Sequence, residues 1–231
     1  MLQGMFFARK DVTEGLSEVV LHSIRHAVEV LKRGGVVAFP TDTVYGLGCD
    51  AFNIAAVRRV YEIKQRSYSL PMPVLLGDLA QLDMVARTVS NLARFLMDRF
   101  WPGGLTLVLS RTTSVPDIVT AGTNRVGVRL PNHVVPLTIS RLLGVPIIGT
   151  SANLSDRPSP VTAEDVRQQL GDSVDFVVEF GRCPGGREST VVDVNAEKIT
   201  ILRHGIIPDS EIERAYQDYL KEAGDADCTG L

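Results

Sequence analysis

Phe39-Pro40-Thr41-Asp42-Thr43-Val44-Tyr45-Gly46-Leu47-Gly48 leaves a short apolar stretch, Val36 to Phe39, and enters a turn rich in hydroxyls and glycine. Proline stops the strand and fixes φ, and the glycines let backbone amides approach a ligand closely. About twenty residues later comes Lys64-Gln65-Arg66, and far downstream Ser151-Ala152-Asn153. Hydroxyls supply donors and acceptors, and a Lys/Arg pair supplies positive charge for phosphate or carboxylate. Together these segments read as a site for a small anionic ligand.

Outward from that stretch, Ile24, Ala27, Val28 and Leu31 recur at helical spacing, and Gly34-Gly35 is a natural stop. The spacing predicts helices over 54–64, 79–87, 91–100, 136–143 and 163–170, the last opened by Thr162 as N-cap. A polar helix over 209–222 closes the fold. Short apolar runs predict strands over 36–39, 73–76, 105–109, 126–130, 146–150, 176–180, 190–194 and 199–202. Trp101-Pro102-Gly103-Gly104 and Pro184-Gly185-Gly186 read as turns. Helices and strands interleave, but strands crowd together near 105–130 and 176–202. That pattern predicts an α/β fold built on a sheet of mixed parallel and antiparallel strands with flanking helices. With no low-complexity linker and no repeat, one domain over 19–208 is expected. It would follow an N-terminal extension, 1–18, and precede a C-terminal helix and tail over 209–231, with 224–231 disordered.

The chain has 231 residues, 45% hydrophobic and 22% charged, which suits a globular protein with a sizeable core. A net charge of −3 gives no general reason to expect nucleic-acid affinity, although it leaves room for a local basic cleft. No apolar run approaches the roughly 18 residues of a spanning helix, so no membrane association is expected. The N-terminus lacks the pattern of a secretory signal. Cys49, Cys183 and Cys228 are odd in number and far apart, which argues against a disulfide framework or zinc site and for a reducing cytoplasm. His22 and His26 stand four apart but have no third ligand nearby, so a solvated helix face is expected.

Gly46-Leu47-Gly48-Cys49-Asp50-Ala51 matches G-x-G-x-x-A, yet six residues separate the strand from the first glycine and no acid-tipped strand follows. A nicotinamide site is not expected. There is no P-loop, no G-x-S-x-G and no Ser-His-Asp set with a clear base, which points to chemistry without a protein nucleophile. Lys64 and Arg66 admit two readings. Glu62 and Arg66 are four apart and could pair on the helix surface for a few tenths of a kcal/mol; alternatively, both cations turn toward the glycine turn. Arg129 lies in a strand of small apolar residues, either at a sheet edge or as a bidentate carboxylate clamp. Ser151 and Asn153 could equally cap an ordinary turn, and Glu188-Ser189-Thr190 could be a capped strand entry.

In this order and at these spacings, several segments resemble the YrdC-like family, the threonylcarbamoyl-AMP synthases. They are Pro-Thr-Asp-Thr-Val-Tyr-Gly-Leu-Gly (40–48), Lys-x-Arg (64–66), Trp-Pro-Gly-Gly-Leu-Thr (101–106), Val-Arg-Leu-Pro (128–131), Thr-Ser-Ala-Asn (150–153), Arg-Pro-Ser-Pro (157–160), Glu-Ser-Thr-Val-Val-Asp (188–193) and Leu-Arg-His-Gly (202–205). The similarity runs from about Val19 to about Pro208 and matches the single-domain form, without the C-terminal domain of longer members. It implies an open, twisted α/β sheet with a positively lined cavity. It further implies a nucleotidyltransferase that makes threonylcarbamoyl-AMP and pyrophosphate from L-threonine, bicarbonate and ATP with Mg²⁺. The product would pass to a tRNA threonylcarbamoyltransferase complex, and a weak tRNA contact is compatible with the cleft.

Carried over position by position, the resemblance gives Lys64, Arg66, Ser151 and Asn153 as a catalytic tetrad on phosphate and carbamate. Thr43, Arg129 and Ser189 would hold threonine, with Arg129 on its carboxylate. Arg66, Arg125, Ser151, Ser159 and Arg203 would contact ATP. Two positions depart from the family pattern. Ser67 stands where many members have proline, so the loop after Arg66 is expected to be more mobile. Leu75 stands where some carry a histidine that contacts threonine, which shifts recognition toward Thr43, Arg129 and Ser189. Two other readings remain: the carbamoyl-adenylate-forming domain of hydrogenase maturation, found in longer chains with zinc-finger segments, and a non-catalytic RNA-binding module.

Overall fold

The computed structural model describes residues 16–195 and 197–228. Helix α1, Glu18–Lys32, starts where the Ser17 hydroxyl accepts from Val20 N and buries Leu21, Ile24, Ala27, Val28 and Leu31. It leads to β1, Val37–Phe39, and then across the 40–45 loop to β2, Gly46–Gly48. Helix α2, Ile54–Lys64, is capped by Asn53 and ends at Gln65, whose φ of 51° turns the chain out of the helix. Then follow β3 (Val74–Leu75), a 3-10 turn (Leu79–Gln81), α3 (Leu82–Val85), β4 (Ala86–Thr88), α4 (Asn91–Phe100), β5 (Leu105–Arg111) and β6 (Arg125–Arg129). The remaining elements are α5 (Val134–Leu143), β7 (Ile147–Ile148), β8 (Thr150–Ser151), α6 (Ala163–Leu170), a 3-10 turn (Gly171–Ser173), β9 (Phe176–Val177), β10 (Thr190–Asn195), β11 (Lys198–Arg203) and α7 (Asp209–Cys228).

The strands form mixed sheets, and there are two of them. The smaller runs β8-β2-β1-β9 and the larger β11-β10-β5-β6-β3-β7, with β4 also paired to β5. Parallel pairs (β1 with β9, β10 with β5, β3 with β6) sit among antiparallel ones. The expected single strand over 146–150 breaks at Gly149. There the chain passes from β7, paired with β3, to β8, paired with β2, and so joins the two sheets. Gly149 allows this because the Leu75 side chain occupies the space of a Cβ, 2.2 Å from where that atom would stand. An isolated bridge between Asp50 and Ile147 ties the sheets a second time.

Other expectations change at the element level. The 79–87 segment is not one helix: Asp78 caps a 3-10 turn, and Ala86 and Thr88 pair with Arg111 and Ser110 of β5. Ladder bonds available to an adjacent strand outweigh the helical propensity of the run. The glycine-rich 46–48 segment is a strand, with Phe39 opposite Gly46. Only Phe176 and Val177 of the 176–180 run pair as a strand. Helix α7 continues to Cys228, so 224–228 is helical and not disordered, while 229–231 and the first fifteen residues lie outside the described residues. His22 and His26 are exposed on α1, with the His26 ring 4.6 Å from that of Phe176, edge to face. No helix among the described residues is long and apolar enough to cross a membrane.

Candidate active site

A cleft of about 990 Å³ opens between the two sheets. Gly46, Thr150 and Ser151 come from the small sheet, and Leu75, Thr106, Val108, Gly127, Arg129 and Val191 from the large one. Its volume lies at the upper end of the range for small-molecule sites, roughly 300–1,000 Å³. Nine of the ten residues singled out from the sequence line it: Thr43, Lys64, Arg66, Arg125, Arg129, Ser151, Asn153, Ser189 and Arg203. Ser159 stands behind the lining and donates to Glu188 Oε1 at 2.7 Å.

The 40–45 loop is held by its own hydroxyls. Thr41 Oγ1 donates to Val44 O at 2.7 Å, accepts from Thr43 N at 3.0 Å and lies 2.9 Å from Thr43 Oγ1. This fixes Thr43 against Arg129, whose Nη1 donates to Thr43 Oγ1 at 3.0 Å. Arg129 is buried; its Nη2 pairs with Asp42 Oδ1 at 2.6 Å and its Nε donates to Gly103 O at 2.9 Å. Burial draws the guanidinium below its usual pKa, and the Asp42 charge opposes that. Three of its five N–H groups are thus engaged within the protein, leaving one on each terminal nitrogen. Gly46 and Gly48 serve packing more than ligand approach. A Cβ on Gly46 would meet the Phe39 ring at 2.9 Å, and one on Gly48 the Ile148 carbonyl oxygen at 2.1 Å.

Lys64 is the last residue of α2 and is buried, so the helix-surface reading fails for it. Its ammonium donates to Ser151 O, to Asn153 O at 2.7 Å and to Asn153 Oδ1 at 3.1 Å. Burial brings its pKa down to about 8, helped by Arg66 and opposed by Glu188. Arg66 turns away from Glu62 and caps the following loop, with Nε donating to Leu70 O at 3.2 Å and Nη2 to Pro71 O at 3.1 Å. Those bonds hold the loop that begins at Ser67, whose hydroxyl lies 2.8 Å from that of Ser69.

Ser189 is buried, its hydroxyl 2.8 Å from Thr106 Oγ1, and Arg203 lies over it. The Arg203 guanidinium donates from Nε and Nη2 to Ser189 O, from Nη2 to Ser189 Oγ at 2.9 Å, and from Nη1 to Glu188 Oε2 at 2.6 Å. Arg125 is tied across the sheet: its Nη2 pairs with Asp193 and donates to Val108 O and Val194 O, each at 2.7 Å. Its side chain braces β6 against β5 and β10 while also facing the cleft.

The sequence reading missed two acids. Glu188 was visible in Glu188-Ser189-Thr190 only as a strand entry, yet it joins Ser159 and Arg203. Burial raises its pKa, but Arg203, the Ser159 and Ser151 hydroxyls and Lys64 outweigh burial and leave it below the usual carboxylate value. Asp42 lay inside the opening motif, where nothing in the sequence marked it as the partner of a cation 87 positions away. Among the described residues no three His, Cys, Asp or Glu side chains gather as a metal cage. What the cleft offers is one buried guanidinium among hydroxyls, and a second group of cations at Lys64, Arg66 and Arg203. That arrangement suits a ligand, or a pair of ligands, with two separate negative centres.

Comparison with known proteins gives a consistent result. The family model described as "Telomere recombination", which covers Sua5, YciO and YrdC, matches residues 29–205. The chain is 39% identical over 191 residues to the threonylcarbamoyl-AMP synthase of Pyrococcus abyssi, covering 83% of this chain and 56% of that protein. It is 41% identical over 204 residues to the threonylcarbamoyl-AMP synthase of Bacillus subtilis, covering 88% of this chain and 59% of the relative. The crystal structure of P. abyssi Sua5 complexed with L-threonine is similar to it with a TM-score of 0.81 at 38% identity, over 83% of this chain and 56% of that one. The chain therefore spans somewhat more than half the length of these relatives.

Proposed function

Because the chain belongs to the Sua5/YciO/YrdC family, we propose that its cleft condenses L-threonine, bicarbonate and ATP into threonylcarbamoyl-AMP and releases pyrophosphate. This makes it a nucleotidyltransferase. The observation that carries the reading is Arg129, a guanidinium buried at 5% exposure and facing a cleft whose other cations are Lys64, Arg66, Arg125, Arg157 and Arg203. One free N–H on each terminal nitrogen is what a carboxylate takes in a two-bond contact. Thr43 and Ser189 supply hydroxyls beside it, and the Leu75 side chain, next to Arg129 in register on β3, supplies an apolar wall. An amino acid with a hydroxyl and a methyl fits that set.

The threonine amine and bicarbonate give an N-carboxylate and water. A carboxylate oxygen then forms a bond to the α-phosphorus as the bond to the pyrophosphate oxygen breaks, and the electron pair leaves with pyrophosphate. Both reactants are anions, so the protein's work is positioning and charge stabilisation more than proton transfer. Arg66 and Arg203 hold the phosphates, Ser151 and Asn153 orient the reacting group, and Arg125 and Ser159 support the nucleotide end. Mg²⁺ would enter on the triphosphate, where it neutralises charge on the departing pyrophosphate. Glu188, Asp193 and Asp42 are already engaged by arginines, so phosphate and water oxygens would supply most of its ligands.

The product would serve a tRNA threonylcarbamoyltransferase in the cytoplasm, with the basic cleft allowing a weak tRNA contact. Pyrophosphate release from ATP and bicarbonate, measured with and without L-threonine, tests the reading. Release that requires threonine is the expected result. Dependence on carbamoyl phosphate would indicate hydrogenase-type chemistry instead, and no turnover with either would point to a non-catalytic RNA-binding module.

A further inference from the structure

An ammonium group has three N–H donors, and on Lys64 all three have an acceptor within the protein. They go to the main-chain oxygens of Ser151 and Asn153 and to the side-chain oxygen of Asn153. The main-chain oxygen of Lys64 accepts a fourth bond, from Ser155 N at 2.9 Å. The side chain is 2% exposed, and it ends at the C-terminus of α2, where the helix dipole favours a cation. The turn it grips is braced further by Ala152 N donating to Tyr45 O at 2.8 Å and by Asn153 Nδ2 donating to Arg157 O at 2.6 Å.

A lysine in this setting can reach a phosphate oxygen only by giving up a bond that holds the turn. We infer that Lys64 is a positioning residue: it fixes the 151–155 turn against the end of α2, so that Ser151 and Asn153 meet the ligand at a set distance. It does not itself bind a phosphate oxygen. The catalytic consequence rests on the proposed synthase activity, whereas the structural part does not.

The charged groups around Lys64 are Arg66 beyond the end of α2, Glu188 before β10 with Arg203 of β11 upon it, and Asp156 and Arg157 from the turn itself. The ammonium titrates near pH 8 under burial and Arg66. Burial disfavours the charged form in the closed turn relative to a solvated lysine, so rising pH through that value favours the closed turn over an opened one.

Hydrogen–deuterium exchange on the ligand-free full chain tests the grip directly. In Lys64→Met the amides of Ala152 and Ser155 should exchange about 10-fold faster or more, the scale of losing a hydrogen bond to a charged group. In the wild type the same amides should gain protection relative to the intrinsic rate between pH 7 and pH 9, and Lys64→Arg, which does not titrate, should remove that extra protection. Kinetics supply the second readout. Displacement of the turn in Lys64→Met should lower kcat/KM by about 10²-fold, the scale of a 1 Å misplacement. Lys64→Arg, which keeps a cation at the end of α2, should keep more of the rate than Lys64→Met. Unchanged exchange in a folded Lys64→Met protein with lost ATP binding would overturn the inference in favour of direct phosphate contact. If that variant does not fold, absence of the pH-linked gain in protection in the wild type overturns it. If the chain makes no threonylcarbamoyl-AMP, the exchange results stand on their own.

Discussion

A guanidinium taken out of water has to find its partners inside the protein, and Arg129 finds Asp42, Thr43 and the Gly103 carbonyl. The planar fork matters here because three groups in different directions must be met while two N–H groups stay free for a ligand. A lysine at 129 would bring the charge but not the fork. Arg129→Lys should raise KM for threonine by about 10–150-fold, the range for losing one hydrogen bond to a charged group, and alter KM for ATP far less. Steady-state kinetics with each substrate varied in turn decide this, and equal effects on both would remove Arg129 from the threonine end. At this scale the sequence was informative about which cations mattered and silent about what held them. A lone arginine in an apolar strand is conspicuous, whereas Asp42 between two threonines looks like any loop acid. Glu188 was hidden for a related reason: its partners, Ser159 and Arg203, lie 29 and 15 positions away.

Elements place these side chains through close backbone approaches that only glycine permits. After β11 the chain folds back over the start of β10, where a Cβ on Gly205 would stand 2.2 Å from Thr190 N and 2.3 Å from the Ser189 carbonyl carbon. That approach lets Ile206 N donate to Glu188 O at 2.8 Å and keeps Arg203 over Ser189. Gly205→Ala should cost about 1–3 kcal/mol, the scale of overpacking, because the atoms in the way are main chain and cannot rotate aside. Since Arg203 and Ser189 move with that backbone, activity should fall as well. Urea denaturation and pyrophosphate release would show both losses, and wild-type values for the variant would contradict this account of the strand exit. The same physics limits what a sequence reveals about elements. Helices α1, α2, α4 and α6 were legible because their apolar spacing and caps are local. Strand β2 was not, since Gly46-Leu47-Gly48 carries no β-branched residue and pairs with Phe39 and Ser151 through contacts made elsewhere in the chain. The division into two sheets was invisible for the same reason: it depends on Gly149 lying under Leu75.

For the molecule as a whole, the response of stability to pH sums these local environments, and the sign differs at the two ends of the scale. Asp165 is held below its usual value by the Thr162 hydroxyl and neighbouring amides, and Asp175 by Arg59 and Val36 N. In Glu188, Arg203 and two hydroxyls outweigh burial. For each, the stabilisation is present above the unfolded carboxylate pKa and is lost as pH falls through the lower folded value, so acid unfolding should set in below about pH 4. At the alkaline end two effects oppose each other. Lys64, brought by burial from 10.5 to about 8, binds fewer protons folded than unfolded between those values, so it makes stability rise with pH. Burial raises the thiols of Cys49 and Cys183 above the ordinary value of 9.0, so they hold protons that the unfolded chain releases and make stability fall. From pH 7 to pH 9 the lysine contributes a rise of about 1 kcal/mol, larger than the thiol contribution because the thiols of the unfolded chain are only half ionised by the end of that window. Comparing the wild type with Lys64→Met isolates the lysine, because the thiols are common to both. Whatever the variant's stability at pH 7, the difference between the two proteins should shift by about 1 kcal/mol in favour of the wild type by pH 9. Urea midpoints under reducing conditions at pH 7, 8 and 9 measure it. A difference that does not change with pH would mean that the Lys64 ammonium keeps its ordinary affinity for the proton, and that its burial against the 151–155 turn is less complete than the structure shows.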